Sequence, residues 1–75
     1  MIRLYKVIHG KYYQIFEIDR DMLYPVACYY AKYKFCGNII IRYYYKDGSF
    51  WDESFIHYAN LQGIPLKIRE EDYVI

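Results

Sequence analysis

The stretch Ile39–Phe55, with the sequence IIIRYYYKDGSFWDESF, decides the fold of this 75-residue chain. β-branched and aromatic residues, which favour strands, stand on both sides of Asp47-Gly48. An Asp-Gly pair between two such runs is among the strongest short-range signals for an antiparallel hairpin. The stretch therefore predicts two paired strands that are joined at Asp47-Gly48.

The register of this hairpin has two alternatives. A two-residue loop places Arg42 opposite Glu53 and Tyr44 opposite Trp51. A three-residue loop that begins at Lys46 contains a bulge and slips the pairing by one residue. We favour the two-residue loop because an ion pair and an aromatic pair are cross-strand neighbours that stabilise a sheet.

A second hairpin is predicted at the N-terminus. Ile2–Ile8 and Tyr12–Ile18 alternate apolar and polar residues, and His9-Gly10 lies between them. Further along the chain, a short helix is predicted near 54–62, where Ser54 can cap its start and Gly63 its end. A final extended piece, 66–75, follows this helix.

The stretch Pro25–Cys36 can be interpreted in two ways. As a helix it has a proline at its start and Gly37 after its end. However, Lys32 and Lys34 would then point to different sides and leave no polar face. As a strand, the two lysines share one face, and the Tyr, Val and Phe content favours this conformation. We prefer the strand.

These elements predict one domain, 1–75, that is mainly β. The expected architecture is a small antiparallel meander or an SH3-like barrel of five to six strands, with the short helix near 54–62. The alternative is an α+β fold in the order ββαββ, with a helix at 25–36. In the favoured register the core face carries Ala31, Tyr33, Phe35, Ile40, Tyr44, Trp51 and Phe55.

Tyrosine is the most informative part of the composition, since it accounts for 12 of the 75 residues. It combines a large apolar ring with a hydroxyl that can be hydrated, and it is enriched where proteins contact other molecules. The predicted solvent face of the sheet interleaves such rings with lysines. Its candidate partner-binding residues are Tyr30, Lys32, Lys34, Tyr43, Tyr45 and Phe50.

Charge is distributed unevenly along a chain whose formal net charge is only +1. The acidic run Glu70-Glu71-Asp72 near the C-terminus is a second candidate contact, suited to a protein partner with a basic surface. Nucleic-acid modules usually carry a strongly basic balance, so nucleic acid is the less favoured partner. Homodimer formation is also expected, because so small a domain is marginally stable by itself.

Catalytic and metal chemistry have little support in the sequence. The possible metal ligands Cys28, Cys36, His9 and His57 lack the close spacing that zinc sites use, so we expect no metal or other cofactor. We find no spacing typical of a nucleophile with its base, and we expect no enzyme. We also expect no membrane contact and a cytoplasmic location, because no apolar run approaches the roughly 20 residues that span a bilayer.

These observations predict a non-enzymatic binding protein that acts by occupying the surface of a partner protein. Short, motif-free chains rich in Ile, Lys and Tyr are common in phages, archaeal viruses and mobile elements. An inhibitor of a host nucleic-acid-handling or defence protein is the concrete form of this hypothesis. The alternative is a small single-stranded nucleic-acid-binding β module that uses aromatic stacking.

Overall fold

The structure, a computed structural model, describes residues 1–66. They form a four-stranded antiparallel sheet with helices on one side, which confirms the predicted antiparallel β class and the short helix near 54–62. The elements along the chain are β1 (Ile2–Ile8), β2 (Lys11–Ile18), a 3-10 helix (Arg20–Met22), α1 (Leu23–Tyr33), β3 (Ile39–Tyr44), β4 (Phe50–Ser54) and α2 (Phe55–Gln62).

The strand order is β2-β1-β3-β4. β1 pairs antiparallel with both β2 and β3, so those two strands run parallel and α1 supplies the crossover between them. The described sheet is open at β2 and β4 and is not a barrel. Its element order follows the ββαββ alternative, and residues 1–66 contain four of the predicted five to six strands. The predicted extended piece at 66–75 lies almost wholly outside the described residues.

The preferred strand at 25–36 is wrong, because this part of the chain forms α1. The buried side chains Leu23, Ala27 and Ala31 recur every four residues and make one apolar stripe along the helix. Lys34 is the C-cap residue, with extended backbone. The argument against the helix therefore fails, since only Lys32 of the two lysines is helical.

The favoured register of the second hairpin is also wrong, and the one-residue slip is correct. Tyr43 lies opposite Trp51, and Tyr44 lies opposite Phe50. The hydrogen bond that closes the loop is made by Tyr45, whose backbone N–H donates to the carbonyl oxygen of Ser49 at 2.9 Å. This leaves a three-residue loop, in which Gly48 takes a φ of 88° that L side chains rarely adopt.

The core lies between the helices and one face of the sheet. The predicted core residues Ala31 and Phe55 are buried there, whereas Tyr33 and Trp51 are about half exposed. Ile40 and Tyr44 point to the opposite face with Arg42, whose charged group is costly to bury. The largest fully buried side chains are Ile2, Leu4, Ile39, Ile41 and Phe55.

α2 is capped at both ends as its sequence predicts. The Ser54 hydroxyl accepts a hydrogen bond from the backbone N–H of His57 at 3.1 Å, and Gly63 ends the helix with a φ of 72°.

We expect Ser54→Ala to lower the free energy of unfolding by about 1 kcal/mol, because the backbone N–H of His57 loses its acceptor. Urea denaturation measures the change. Ser54→Asp is the matched control and should remain near wild type, and equal losses in both variants would contradict the cap.

The buried thiol of Cys36 makes the free energy of unfolding depend on pH in the alkaline range. Burial raises the pKa of its thiol from an ordinary 9.0 to about 12. Between these two values the unfolded chain releases a proton that the folded chain keeps, so the free energy of unfolding should fall as the pH rises from 9 to 12. We expect a shallower fall for Cys36→Ala in denaturation series across this range. Parallel slopes for wild type and variant would show that Cys36 does not cause the loss.

Candidate functional site

The candidate site is the face of the sheet opposite the core. The buried residues of α1 and α2 belong to the core on the other side, and no helix among residues 1–66 covers this second face. Aromatic rings and arginines from all four strands meet on it. We call this group the open-face cluster, and it consists of Arg3, Tyr5, Tyr12, Arg42, Tyr44 and Phe50.

Strand register positions the charged part of this face. Arg3 lies directly opposite Arg42 on the two central strands, Glu17 pairs with Arg3 on one side, and Asp52 pairs with Arg42 on the other. The result is a row of side chains across the sheet in the order acid, base, base, acid. The outer carboxylates offset the repulsion between the two central guanidinium groups.

Both arginines are held by ion pairs. The Arg42 Nε and Nη2 atoms donate to the two carboxylate oxygens of Asp52 at 2.7 and 3.0 Å, which is a bidentate contact. The Arg3 Nε atom donates to Glu17 Oε1 at 2.9 Å. The hydrogen bonds to Asp52 raise the pKa of Arg42 and keep its guanidinium charged. The four charged groups of the row are thus neutral in sum.

Aromatic rings enclose the guanidinium of Arg42. Its Cζ atom lies 3.9 Å from the ring centroid of Phe50, 4.9 Å from that of Tyr5 and 5.2 Å from that of Tyr12. Cation–π contacts of this kind stabilise by about 0.5–1 kcal/mol at exposed sites. The rings and the bidentate ion pair together fix Arg42 in one position.

Two tyrosine hydroxyls meet above the arginine row. The hydroxyl oxygens of Tyr5 and Tyr44 lie 3.0 Å apart, and the Cζ atom of Arg3 lies 4.9 Å from the ring centroid of Tyr44. The hydrogen bond with Tyr5, together with the nearby Arg42 and Arg3, lowers the pKa of Tyr44. The face therefore has a stiff centre of hydrogen-bonded and stacked side chains.

Side chains of the types that enzymes use as bases or nucleophiles have structural contacts in this fold. Glu53 accepts a hydrogen bond from the Tyr43 hydroxyl at 2.7 Å, and its other oxygen lies 3.0 Å from His57 Nδ1. The Ser54 hydroxyl caps α2, and Asp47 accepts hydrogen bonds from the backbone and side chain of Ser49 within the turn. Within residues 1–66, no three or more His, Cys, Asp or Glu side chains are grouped as metal ligands.

The predicted partner-binding residues do not share one face. Tyr30 and Lys32 belong to α1, and Lys34 follows it. Tyr30 packs edge-on against Phe16 and onto the core, with ring centroids 5.7 Å apart. The expectation of one continuous contact face that includes these residues is therefore wrong.

The remaining predicted residues divide between the two sides of the sheet. Tyr43 packs against the core, and Tyr45 is exposed at the start of the β3–β4 loop. Of the predicted set, only Phe50 belongs to the open-face cluster. The run Glu70-Glu71-Asp72 lies outside the described residues, and its role stays a prediction.

Sequence reasoning missed five members of the cluster. Arg42 was the available signal, because an arginine in an apolar strand marks the solvent side and assigns its neighbour Tyr44 to that side too. Tyr5 and Tyr12 alternate with residues of the core face in the first hairpin. Their contact with Arg42 arises from the pairing of β1 with β3, which no local pattern encodes.

Comparison with known proteins gives no relative from which a function could be transferred. No protein-family model matches the chain, and neither a curated protein nor a solved structure resembles it significantly. Neither helix within residues 1–66 has the length and apolar character needed to cross a membrane.

Proposed function

We propose that this chain is a non-enzymatic binding protein that docks onto a partner protein through the open-face cluster and acts by occluding the partner's surface. The observation that carries the proposal is the stacking of Arg42 between aromatic rings on a sheet face that no described helix covers. Tyr, Phe and Arg are the residue types enriched at the cores of protein interfaces.

The neutrality of the face favours a protein partner over a nucleic acid. Both arginines have their carboxylates within 3.0 Å, so neither is free to neutralise a phosphate. Nucleic-acid binding draws much of its affinity from such neutralisation. A protein surface can instead cover the rings and desolvate ion pairs that are already formed.

The stiffness of the cluster supports the same proposal. A side chain that is ordered before binding loses little conformational freedom when the complex forms, whereas each newly immobilised side chain costs about 0.5–1.5 kcal/mol. Arg42 is fixed by Asp52 and by the rings around it. A preformed anchor of this kind suits an inhibitor that binds in a one-to-one complex, including the host-directed inhibitor expected from the sequence.

Site-specific photo-crosslinking tests the proposal. Benzoyl-phenylalanine is introduced at position 50 in the open-face cluster or, as the matched control, at position 61, where Leu61 is exposed on α2. Each variant is irradiated in an extract of the cells in which the protein occurs, with and without an excess of the unlabelled protein. We expect position 50 to give a defined adduct with another protein that the excess suppresses, and position 61 to give none.

Four other outcomes would overturn the proposal. An adduct only between two copies of the chain would assign the face to a homodimer. An adduct with nucleic acid would support the stacking alternative. The same adduct from both positions, or no suppressible adduct from position 50, would show that the open-face cluster is not a docking surface.

A further inference from the structure

A second surface differs from the open face because, within residues 1–66, its positive charges have no carboxylate at ion-pair distance. It lies at the end of the sheet where β1 stops, β2 starts and α1 finishes. Lys6 and Lys11 belong to the first hairpin, Lys32 is in the last turn of α1, and Lys34 follows that helix. We call this group the basic end, and it consists of Lys6, Lys11, Lys32 and Lys34.

Two hydrogen bonds place the segment after α1 and the end of β1 at the same end of the sheet. The backbone N–H of Val7 donates to the carbonyl oxygen of Asn38 at 2.9 Å, and the Asn38 side-chain amide donates to the carbonyl oxygen of Val7 at 3.4 Å. The segment that follows α1 is thus fixed beside Lys6. Lys34, four residues before Asn38, lies in the same segment.

The described carboxylates leave this end uncompensated. Glu17 and Asp52 pair with the arginines of the open face, and Glu53 contacts His57. Asp19, Asp21 and Asp47 lie in the connections at the other end of the sheet. Among residues 1–66, none of the four lysines of the basic end has a carboxylate within ion-pair distance.

Exposed tyrosines accompany these lysines. Tyr13 lies directly opposite Lys6 in the hairpin, and 51% of its surface is exposed. On α1, the Lys32 Nζ atom lies 5.4 Å from the ring centroid of Tyr33, which in turn lies 5.0 Å from that of Tyr29. An exposed tyrosine ring therefore accompanies a lysine both in the first hairpin and on α1.

We infer that the basic end binds single-stranded nucleic acid. Its lysines supply mobile positive charges for the phosphates, and its tyrosine rings supply stacking platforms for unpaired bases. Unpaired bases can stack on these rings while their phosphates meet the lysines, whereas a purely acidic peptide segment has no planar groups to stack. This activity goes beyond the proposed docking function, because none of its residues belongs to the open-face cluster.

The test is fluorescence anisotropy of a labelled 12-nucleotide oligothymidylate titrated with the full chain at 20 to 200 mM NaCl. If the lysines neutralise three to four phosphates, the logarithm of the binding constant should fall against the logarithm of the salt concentration with a slope of about −2 to −3. Lys11→Glu/Lys34→Glu should weaken binding about tenfold or more at 20 mM salt. Lys46→Glu, in the β3–β4 loop at the opposite end, is the matched control and should leave the affinity near wild type.

Three results would overturn the inference. The first is a flat titration at 20 mM salt. The second is equal competition by a 12-residue polyglutamate, which would assign the basic end to acidic proteins. The third is wild-type affinity of Tyr13→Ser/Tyr33→Ser, since loss of two stacking rings should weaken binding about tenfold or more. The open-face variant Tyr44→Ser/Phe50→Ser should bind the oligonucleotide normally, so this experiment fails or succeeds independently of the proposed function.

Discussion

Replacing Phe55 with alanine is expected to lower the free energy of unfolding by about 3–5 kcal/mol. Phe55 is the first residue of α2, is fully buried, and packs against Tyr30 with ring centroids 6.0 Å apart. It joins both helices to the sheet, so its loss leaves a cavity where three elements meet. A 75-residue domain has a total stability of about 4–11 kcal/mol, so this loss is a large fraction of the total and unfolds the variant if the wild type lies at the lower end of the range.

Guanidinium denaturation followed by far-UV circular dichroism measures this effect. Ile56→Ala is the matched control, because Ile56 is the next residue along α2 and is 42% exposed. We expect the control to lose less than about 1 kcal/mol. Similar losses in the two variants would show that Phe55 does not hold the helices to the sheet.

Replacing Tyr44 and Phe50 together with serine is expected to weaken binding of the proposed partner about 100-fold or more. Truncating an aromatic anchor at the centre of an interface typically costs at least about 2 kcal/mol of binding free energy, which is about 30-fold in affinity. The two side chains face each other on β3 and β4, away from the core. The variant should therefore keep its fold while it loses the rings that flank Arg3 and Arg42.

The affinity is measured by biolayer interferometry with the protein that crosslinks through position 50. The matched control removes two exposed apolar side chains from the other side of the molecule, as Ile56→Ser/Leu61→Ser. Circular dichroism verifies that both double variants are folded. Wild-type affinity in a folded Tyr44→Ser/Phe50→Ser variant would exclude the open-face cluster as the docking centre.

The local parts of the fold were predictable because their signals are local. A Gly-containing turn at His9-Gly10 and another near Gly48 mark the two hairpins, and positive φ angles are found at these glycines. Ser54 and Gly63 mark the ends of α2 in the same direct way. Each of these signals concerns backbone hydrogen bonds within a few residues of the chain.

The errors at α1 and at the second turn have different origins, since packing on the core outweighed strand propensity at α1 and local backbone and side-chain contacts decided the loop length at the turn. The small residues Ala27 and Ala31 let α1 pack closely on the sheet, and they matter more there than the tyrosines that favour strands. At the turn, Gly48 supplies a left-handed residue and Asp47 accepts two hydrogen bonds from Ser49. These contacts favour the three-residue loop.

Arg42 marks the solvent side of β3 in the sequence, but the assembly of the whole open-face cluster could not be predicted for a topological reason. Its residues come from four strands, and the central pairing joins Arg3 to Arg42, which lie far apart in the chain. Of the four lysines of the basic end, the sequence indicates only Lys32 and Lys34 as candidate binding residues. Their placement at the same end of the sheet as Lys6 depends on the contacts between Asn38 and Val7.

The most direct test of the central claim is hydroxyl-radical footprinting of the full chain, alone and in complex with the crosslinked partner protein. We expect Tyr12 and Phe50, each about half exposed, to be oxidised in the free protein and protected in the complex. Tyr29, which is 69% exposed on α1, should be oxidised equally in both. Protection of Tyr29 with unchanged oxidation of Tyr12 and Phe50, or protection of the open face already in the free monomer, would contradict the claim that this face docks a partner protein.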